Sequence, residues 1–343
     1  MHRLFRFFWL TLVLTVLWSV SVAWAFGEVK FAVISDPHLS YPAQNTSNTV
    51  KMEDASIELF REAIEQINAL PNLDFVIVTG DLTKDAEPWN IDLVREMVEE
   101  IRVPVYAVLG NHEVSPIPPK NQEPSLASLT GSSKYTTVFA LQGYGFDGAK
   151  SYWSAEPVPG LLLIGLDTTK VGSWGGTVNK AQLEWLENQL ATNQEKLTIV
   201  VGHHLLVPFR EEEKKPEWQN YYLDNAEEVI ALFERYPQVS FYLCGHRHVS
   251  TIAVEKNGIW YIENASTVTY PMSYTVYTLT PDTLSYQVIR LTATPELWEV
   301  AKSTLLENPF WKPTEDATPE EVLAYYEASD FLNFSMPVRF KKQ

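Results

Sequence analysis

The sequence predicts an α/β protein, a four-layer α/β/β/α sandwich of two mixed sheets flanked by helices, and three observations carry that prediction. Five apolar runs, over 29–35, 74–79, 103–109, 197–201 and 239–244, are each followed at once by a short polar motif. The stretches between them repeat apolar residues at helical period, and the runs after the last motif alternate as half-buried strands do. Strand and helix therefore alternate, which puts the motifs on loops at strand C-terminal ends, the edge where open α/β sheets bind ligands.

Taken in order, the runs lead into Asp36-Pro37-His38, Gly80-Asp81, Gly110-Asn111-His112-Glu113, Gly202-His203-His204 and Gly245-His246-Arg247-His248. Helical periodicity over 50–70, 90–101, 179–190 and 224–236 predicts the crossover helices. Beyond the last motif, 250–255, 258–264, 274–280 and 283–290 read as strands, with Lys256-Asn257-Gly258 as a hairpin turn. From about residue 294 the chain turns rich in Pro, Glu and Trp; 295–302 and 318–331 read as helices, the second opened by Thr318 and Pro319. The organisation expected is a leader over 1–25, one domain over 26–292, and an extension over 293–343 packed on it.

The leader has a short basic start, an apolar core and Ala23-Trp24-Ala25, a small-x-small cleavage signal. Cleavage near Ala25 and export are expected; the alternative is an uncleaved N-terminal membrane anchor, since the apolar run approaches the roughly 20 residues a spanning helix needs. Losing Arg3 and Arg6 with the leader moves the formal charge from −17 to −19. Such acidity argues against a nucleic-acid surface, and no motif calls for an obligatory protein partner. Cys244, the single cysteine, excludes an intrachain disulfide and reads as a small core residue.

Six of the seven histidines lie in the motifs. With Asp36, Asp81 and Asn111, residues His38, His203, His246 and His248 offer carboxylate, amide and imidazole donors without a thiolate, a set suited to Mn, Fe or Zn. Seven donors exceed the needs of one tetrahedral ion and suit two divalent ions that share a carboxylate. Such a centre keeps net positive charge and attracts an anion such as phosphate.

In this ordered set the chain resembles the calcineurin-like metallophosphoesterase superfamily, over roughly residues 28–292. The resemblance implies one ion held by Asp36, His38 and His248, a second by Asn111, His203 and His246, and Asp81 bridging both. It also implies that His112 lies outside the metal shells, beside the scissile phosphate. Glu113 and Asp85 are expected to orient a ligand or His112, with a solvated loop charge the alternative; His204 is expected either to face the substrate beside the ligands or simply to pack. The implied activity is hydrolysis of a small phosphomonoester or phosphodiester by a metal-bridging hydroxide. The alternatives are a nucleotide or lipid-linked diphosphatase and a non-catalytic binding module, although no ligand position is missing.

The segment 163–190 resembles the L-D-T and Q-L-x-W-L stretches of the class III cyclic nucleotide phosphodiesterase branch, which makes a cyclic nucleotide one possible substrate. Leu205 departs from the His-His-Pro of that branch, and Lys84 stands where purple acid phosphatases carry a metal-binding Tyr. The loops 115–124 and 209–222 are placed to overhang the site, and Trp218, Tyr221 and Tyr222 offer faces for a nucleobase, against packing on their own domain.

Overall fold

The computed structural model describes residues 26–42, 50–114, 138–145, 150–209, 216–314, 316–327 and 333–340. The leader and the loop 115–124 lie outside them. Among the described residues no helix is long and apolar enough to cross a membrane.

The apolar runs become strands because both their faces are covered, which removes the need for alternation. β1 (Val29–Ile34), β2 (Phe75–Val78) and β3 (Val105–Ala107) pair in parallel. On the other side of β1, β10 (Ser273–Leu279), β11 (Thr283–Arg290) and β12 (Asn333–Pro337) add antiparallel, so this mixed sheet has six strands in the order β12-β11-β10-β1-β2-β3. The second six-stranded sheet contains β4 (Trp153–Val158), β5 (Leu161–Gly165), β6 (Leu197–Val201), β7 (Val239–Cys244), β8 (Ile252–Lys256) and β9 (Ile259–Glu263). Its order is β4-β5-β6-β7-β9-β8, with the two edge strands antiparallel to a parallel centre. The predicted pair of mixed sheets is present.

Helices α1 (Ser56–Ala69), α2 (Pro88–Val98), α3 (Asn111–Val114), α4 (Lys180–Thr192) and α5 (Ala226–Arg235) connect the motif strands. On α1 the buried positions Leu59, Phe60, Ala63, Ile64 and Ile67 recur at helical spacing, the stripe that turns to the sheet. Asn179 caps α4 by accepting from the Gln182 N–H at 3.0 Å. The first predicted helix starts late: Lys51 pairs with Thr269 in an isolated antiparallel bridge, and only a 3-10 turn at Glu53–Ala55 leads into α1. The hairpin turn forms as predicted, with Asn257 and Gly258 both at positive φ, 56° and 82°.

In the C-terminal stretch α6 (Pro295–Glu307) and α7 (Pro319–Tyr326) form, the latter opened by a capping box in which Thr318 and Glu321 satisfy each other's backbone N–H groups. The helix predicted to run to 331 ends at Tyr326, and β12 follows as an edge strand on β11. β4, β5 and β12 are not among the strands read from the sequence. β4 and β12 are short edge strands without sustained alternation, and β4 carries a Pro at 157, whereas β5 is a fully buried apolar run. Cys244 is buried at the end of β7, as expected of a core residue.

Candidate metal centre

The parallel strands of both sheets deliver the five motifs to one point. Asp36, His38, Asp81, His246 and His248 all adopt positive φ, between 42° and 78°, a conformation that costs non-glycine residues about 1 kcal/mol or more and persists where the surroundings demand it. Gly110 allows one close approach: a Cβ there would lie 2.2 Å from Asp81 Oδ1 and 2.3 Å from its backbone N. At Gly245 a Cβ would lie 2.1 Å from Ser35 Oγ. These motif glycines are spacers that let the loops interlock.

Two buried donor groups result. One gathers Asp36, His38, Asp81 and His248; the other gathers Asp81, His203 and His246. Asp81 belongs to both: its Oδ2 lies 3.6 Å from His38 Nε2 and 3.3 Å from His203 Nε2, while its Oδ1 accepts from the His112 backbone N–H at 2.9 Å. Within the first group His38 Nε2 and His248 Nε2 are 3.2 Å apart, and Asp36 Oδ1 is 3.2 Å from His248 Nε2. Within the second, His203 Nε2 is 3.0 Å from His246 Nδ1 and 3.2 Å from Asn111 Oδ1.

Groups behind the rings choose which nitrogen faces inward. His203 donates Nδ1–H to the Thr79 carbonyl at 2.8 Å, His248 Nδ1 meets Thr269 Oγ1 at 2.9 Å, and both present Nε2. His246 donates Nε2–H to the Asn220 carbonyl at 3.2 Å and presents Nδ1 instead. Asp36 is held by the His246 backbone N–H at 3.1 Å and by Ser35 Oγ, itself hydrogen-bonded to Thr79 Oγ1 at 2.6 Å. Partners of this kind set ring orientation and donor strength at metal sites. The donor chemistry fits two divalent ions: oxygen and neutral nitrogen ligands, buried and pre-oriented around a shared carboxylate.

His112 stands apart. Its side chain is 20 % exposed, whereas the other five motif imidazoles are at most 7 % exposed. Its Nδ1–H donates to the Lys84 carbonyl, with Asp85 Oδ1 3.7 Å away, and its Nε2 faces Lys51 Nζ at 3.2 Å. Burial and Lys51 would lower its pKa, but the Asp81 and Asp85 carboxylates prevail and hold it above the ordinary value.

The supporting residues divide. Glu113 binds backbone: its Oε1 accepts from Thr83 N at 3.0 Å and its Oε2 from Gly110 N at 2.8 Å, which ties the Gly80-Asp81 loop to the Gly110-Asn111 loop. Burial and the Asp81 charge push this carboxyl up to about 7. His204 does not face the site: Thr168 Oγ1 donates to its Nδ1 at 2.8 Å and its Nε2–H donates to the Trp174 carbonyl at 2.9 Å. It is fully buried, lowered to about 3 by burial and by His203, and packs as a neutral ring against His203 and His246. Of the two roles weighed for it, packing is the one the geometry gives.

Packing bears on two other readings. Lys84, at the tyrosine position of purple acid phosphatases, turns away to pair with buried Glu53 at 3.3 Å. Trp218 is only 7 % exposed, and the Arg247 guanidinium lies 4.0 Å from its ring centre and 5.2 Å from that of Tyr221. Those faces are engaged by the protein, and Tyr222 packs against the core, so the stacking role is not supported by their seats. Gln182 joins the two stretches of 163–190 by bonding both the N–H and the carbonyl of Asp167, at 2.9 and 2.8 Å. Sequence reasoning missed Lys51, Thr79, Thr269 and Asn220, none of which lies in a motif.

Residues 29–250 match the profile of the calcineurin-like phosphoesterases. The chain belongs to the calcineurin-like phosphoesterase family. It is a hydrolase acting on phosphoester bonds. This phosphoesterase is 28% identical to the 3′,5′-cyclic adenosine monophosphate phosphodiesterase CpdA of Escherichia coli over 226 residues, 65% of this chain and 70% of that one. It is 24% identical to a glycerophosphodiester phosphodiesterase of Enterobacter lignolyticus over 192 residues, 56% of this chain and 62% of that one. In fold it is similar to a dimetal phosphatase from Danio rerio, with a TM-score of 0.61 at 16% identity over 78% of this chain and 100% of that chain. It is also similar to a purple acid phosphatase from yellow lupin, with a TM-score of 0.56 at 15% identity over 79% and 53% of the two chains.

Without metal, the ionised Asp81 and Asp36 carboxylates of the phosphoesterase favour a proton on the neighbouring His203. Burial opposes protonation of His203, yet the charge and hydrogen bond of Asp81, with the charge of Asp36, lift it to about 9 from 6.5. A raised pKa contributes stability that is complete below pH 6.5 and is lost as pH rises through about 9. Glu113, raised to about 7, acts with the same sign at lower pH. Chelated protein is therefore expected to lose thermal stability between pH 6.5 and 9, and the Tm gap to metal-loaded protein to widen over that window. Thermal melts with and without chelator test this; a gap that stays constant or narrows defeats it.

Proposed function

We propose that this chain is a dinuclear metal-dependent phosphoesterase that hydrolyses a small phosphodiester, with a 3′,5′-cyclic nucleotide as the first substrate to try. The observation that carries the proposal is Asp81 Oδ2, shared between His38 Nε2 and His203 Nε2 at 3.6 and 3.3 Å. Relatives that act on cyclic adenosine monophosphate and on glycerophosphodiesters support the diester reading.

Asp36, His38 and His248 would hold one ion, Asn111, His203 and His246 the other, and Asp81 both. The oxygen and nitrogen donor set suits Mn, Fe or Zn. Bound there, two ions supply a water-derived nucleophile near neutral pH and polarise the phosphate oxygens. His112, the open imidazole, directs Nε2 toward the space beside the donor groups and is suited to the leaving oxygen, while the Lys84 carbonyl fixes its tautomer. Export after cleavage near Ala25 is part of the proposal, on the strength of the leader's composition.

The test is metal content and turnover of the chain from residue 26 onward, loaded with Mn, on cyclic nucleotides, phosphomonoesters and pyrophosphates. Two ions per chain and highest kcat/KM on a diester are expected. A single ion per chain, no turnover with Mn, Fe or Zn, or a clear preference for pyrophosphates would overturn it.

A further inference from the structure

Lys51 lies outside every motif, yet its ammonium reaches into the site. Its Nζ is 3.2 Å from His112 Nε2 and 3.5 Å from His38 Nδ1. Its backbone is fixed by the bridge to Thr269, the residue whose Oγ1 meets His248 Nδ1 at 2.9 Å, and by the neighbouring Met52 N–H, which donates to the Val268 carbonyl at 2.7 Å. The cation is thus carried on the same framework that orients the rings, and is not a solvated surface charge.

Donor and acceptor bookkeeping gives its contact a direction. When the His112 ring is neutral and its Nδ1–H goes to the Lys84 carbonyl, Nε2 is an acceptor and Lys51 donates to it. An ammonium has three donors and no acceptor, and an anion arriving between the donor groups and His112 Nε2 comes within its reach. Charge then decides which anion gains most. A phosphodiester carries one negative charge, which the proposed ions already meet. A phosphate with an unesterified terminus carries a second, for which a nearby fixed cation is worth more.

We propose that Lys51 is a substrate-binding residue that recognises the additional charge of a terminal phosphate, so that the site accepts phosphomonoesters, and the monoester formed from a cyclic diester, beside diesters. This rests on the dinuclear phosphoesterase reading. When substrate binds, Lys51 would turn its N–H donors from His112 Nε2 to a phosphoryl oxygen, which frees Nε2 to take up a proton from water and hand it to the leaving oxygen. The alternative is that Lys51 only positions His112, and the two differ in how they treat substrates with one leaving group and different charge.

The experiment compares wild type, Lys51→Met and Lys51→Arg, each Mn-loaded with ions counted, on p-nitrophenyl phosphate and bis(p-nitrophenyl) phosphate. Affinity for inorganic phosphate is measured by calorimetry in parallel. Lys51→Met is expected to keep its ions, to lose kcat/KM on the monoester about tenfold more than on the diester, and to bind phosphate about tenfold more weakly. Lys51→Arg should recover much of both. Equal losses on the two substrates with unchanged phosphate affinity would overturn the proposal and leave a positioning role. If wild type carries two ions but hydrolyses neither ester, the functional reading has failed, and the phosphate titration still decides the role of Lys51.

Discussion

Asp81→Asn is expected to lose both metal and turnover together, the largest effect of any single substitution in this protein. The reason is directional. Asp81 Oδ1 accepts from the His112 backbone N–H at 2.9 Å, so the amide must keep its oxygen there. Its NH2 would then point at His38 Nε2 and His203 Nε2, a pair of hydrogens placed where electron pairs are required. The only carboxylate common to the two donor groups disappears, and with it half of the site's formal negative charge. Outer partners of metal ligands cost about 10–100-fold in metal affinity when mutated, and a shared inner ligand should cost more. Ion counts by mass spectrometry and kcat/KM on a diester check it. Two ions per chain with near-normal turnover would refute the shared-carboxylate centre.

His112→Ala separates binding from chemistry. The backbone N–H that anchors Asp81 belongs to residue 112 whatever its side chain, and the lost imidazole touches Lys84, Lys51, Asp85 and, edge-on, the His38 ring but is not needed to complete either donor group. The variant should therefore retain two ions while kcat falls by about 10²-fold on substrates with poor leaving groups, the range for lost general-acid help. The deficit should shrink with nitrophenol as leaving group, which needs little protonation. His38→Ala, which removes a member of the Asp36 group, should instead lose metal and harm all substrates alike. Metal loss in His112→Ala, or one deficit across good and poor leaving groups, would contradict the assignment.

The strands that build the site were legible because the motif strands are buried along most of their length and read as apolar runs, four of them followed by a glycine that marks the turn. The donor set was legible for a related reason: each motif is local, a few residues at a strand end, and the ordered repetition of such ends carries the pattern. The Asn257-Gly258 turn and the Thr318 cap are likewise local events, decided by the backbone preferences of the residues within them.

What only the tertiary structure decided joins residues far apart in the chain. Lys51 and His112 are 61 positions apart, and no periodicity places one beside the other. Asn220 reverses the His246 ring, Thr168 and Trp174 turn His204 into packing, Glu53 draws Lys84 away from the site, and Arg247 covers Trp218. β12 exists because β11 offers it an edge. Propensity and pattern act over a few residues, so they determined the strands, the turns and the identity of the donors. Ring orientation, buried charge pairing and access depend on which surfaces the closed sandwich brings together, and short-range signals do not contain that information.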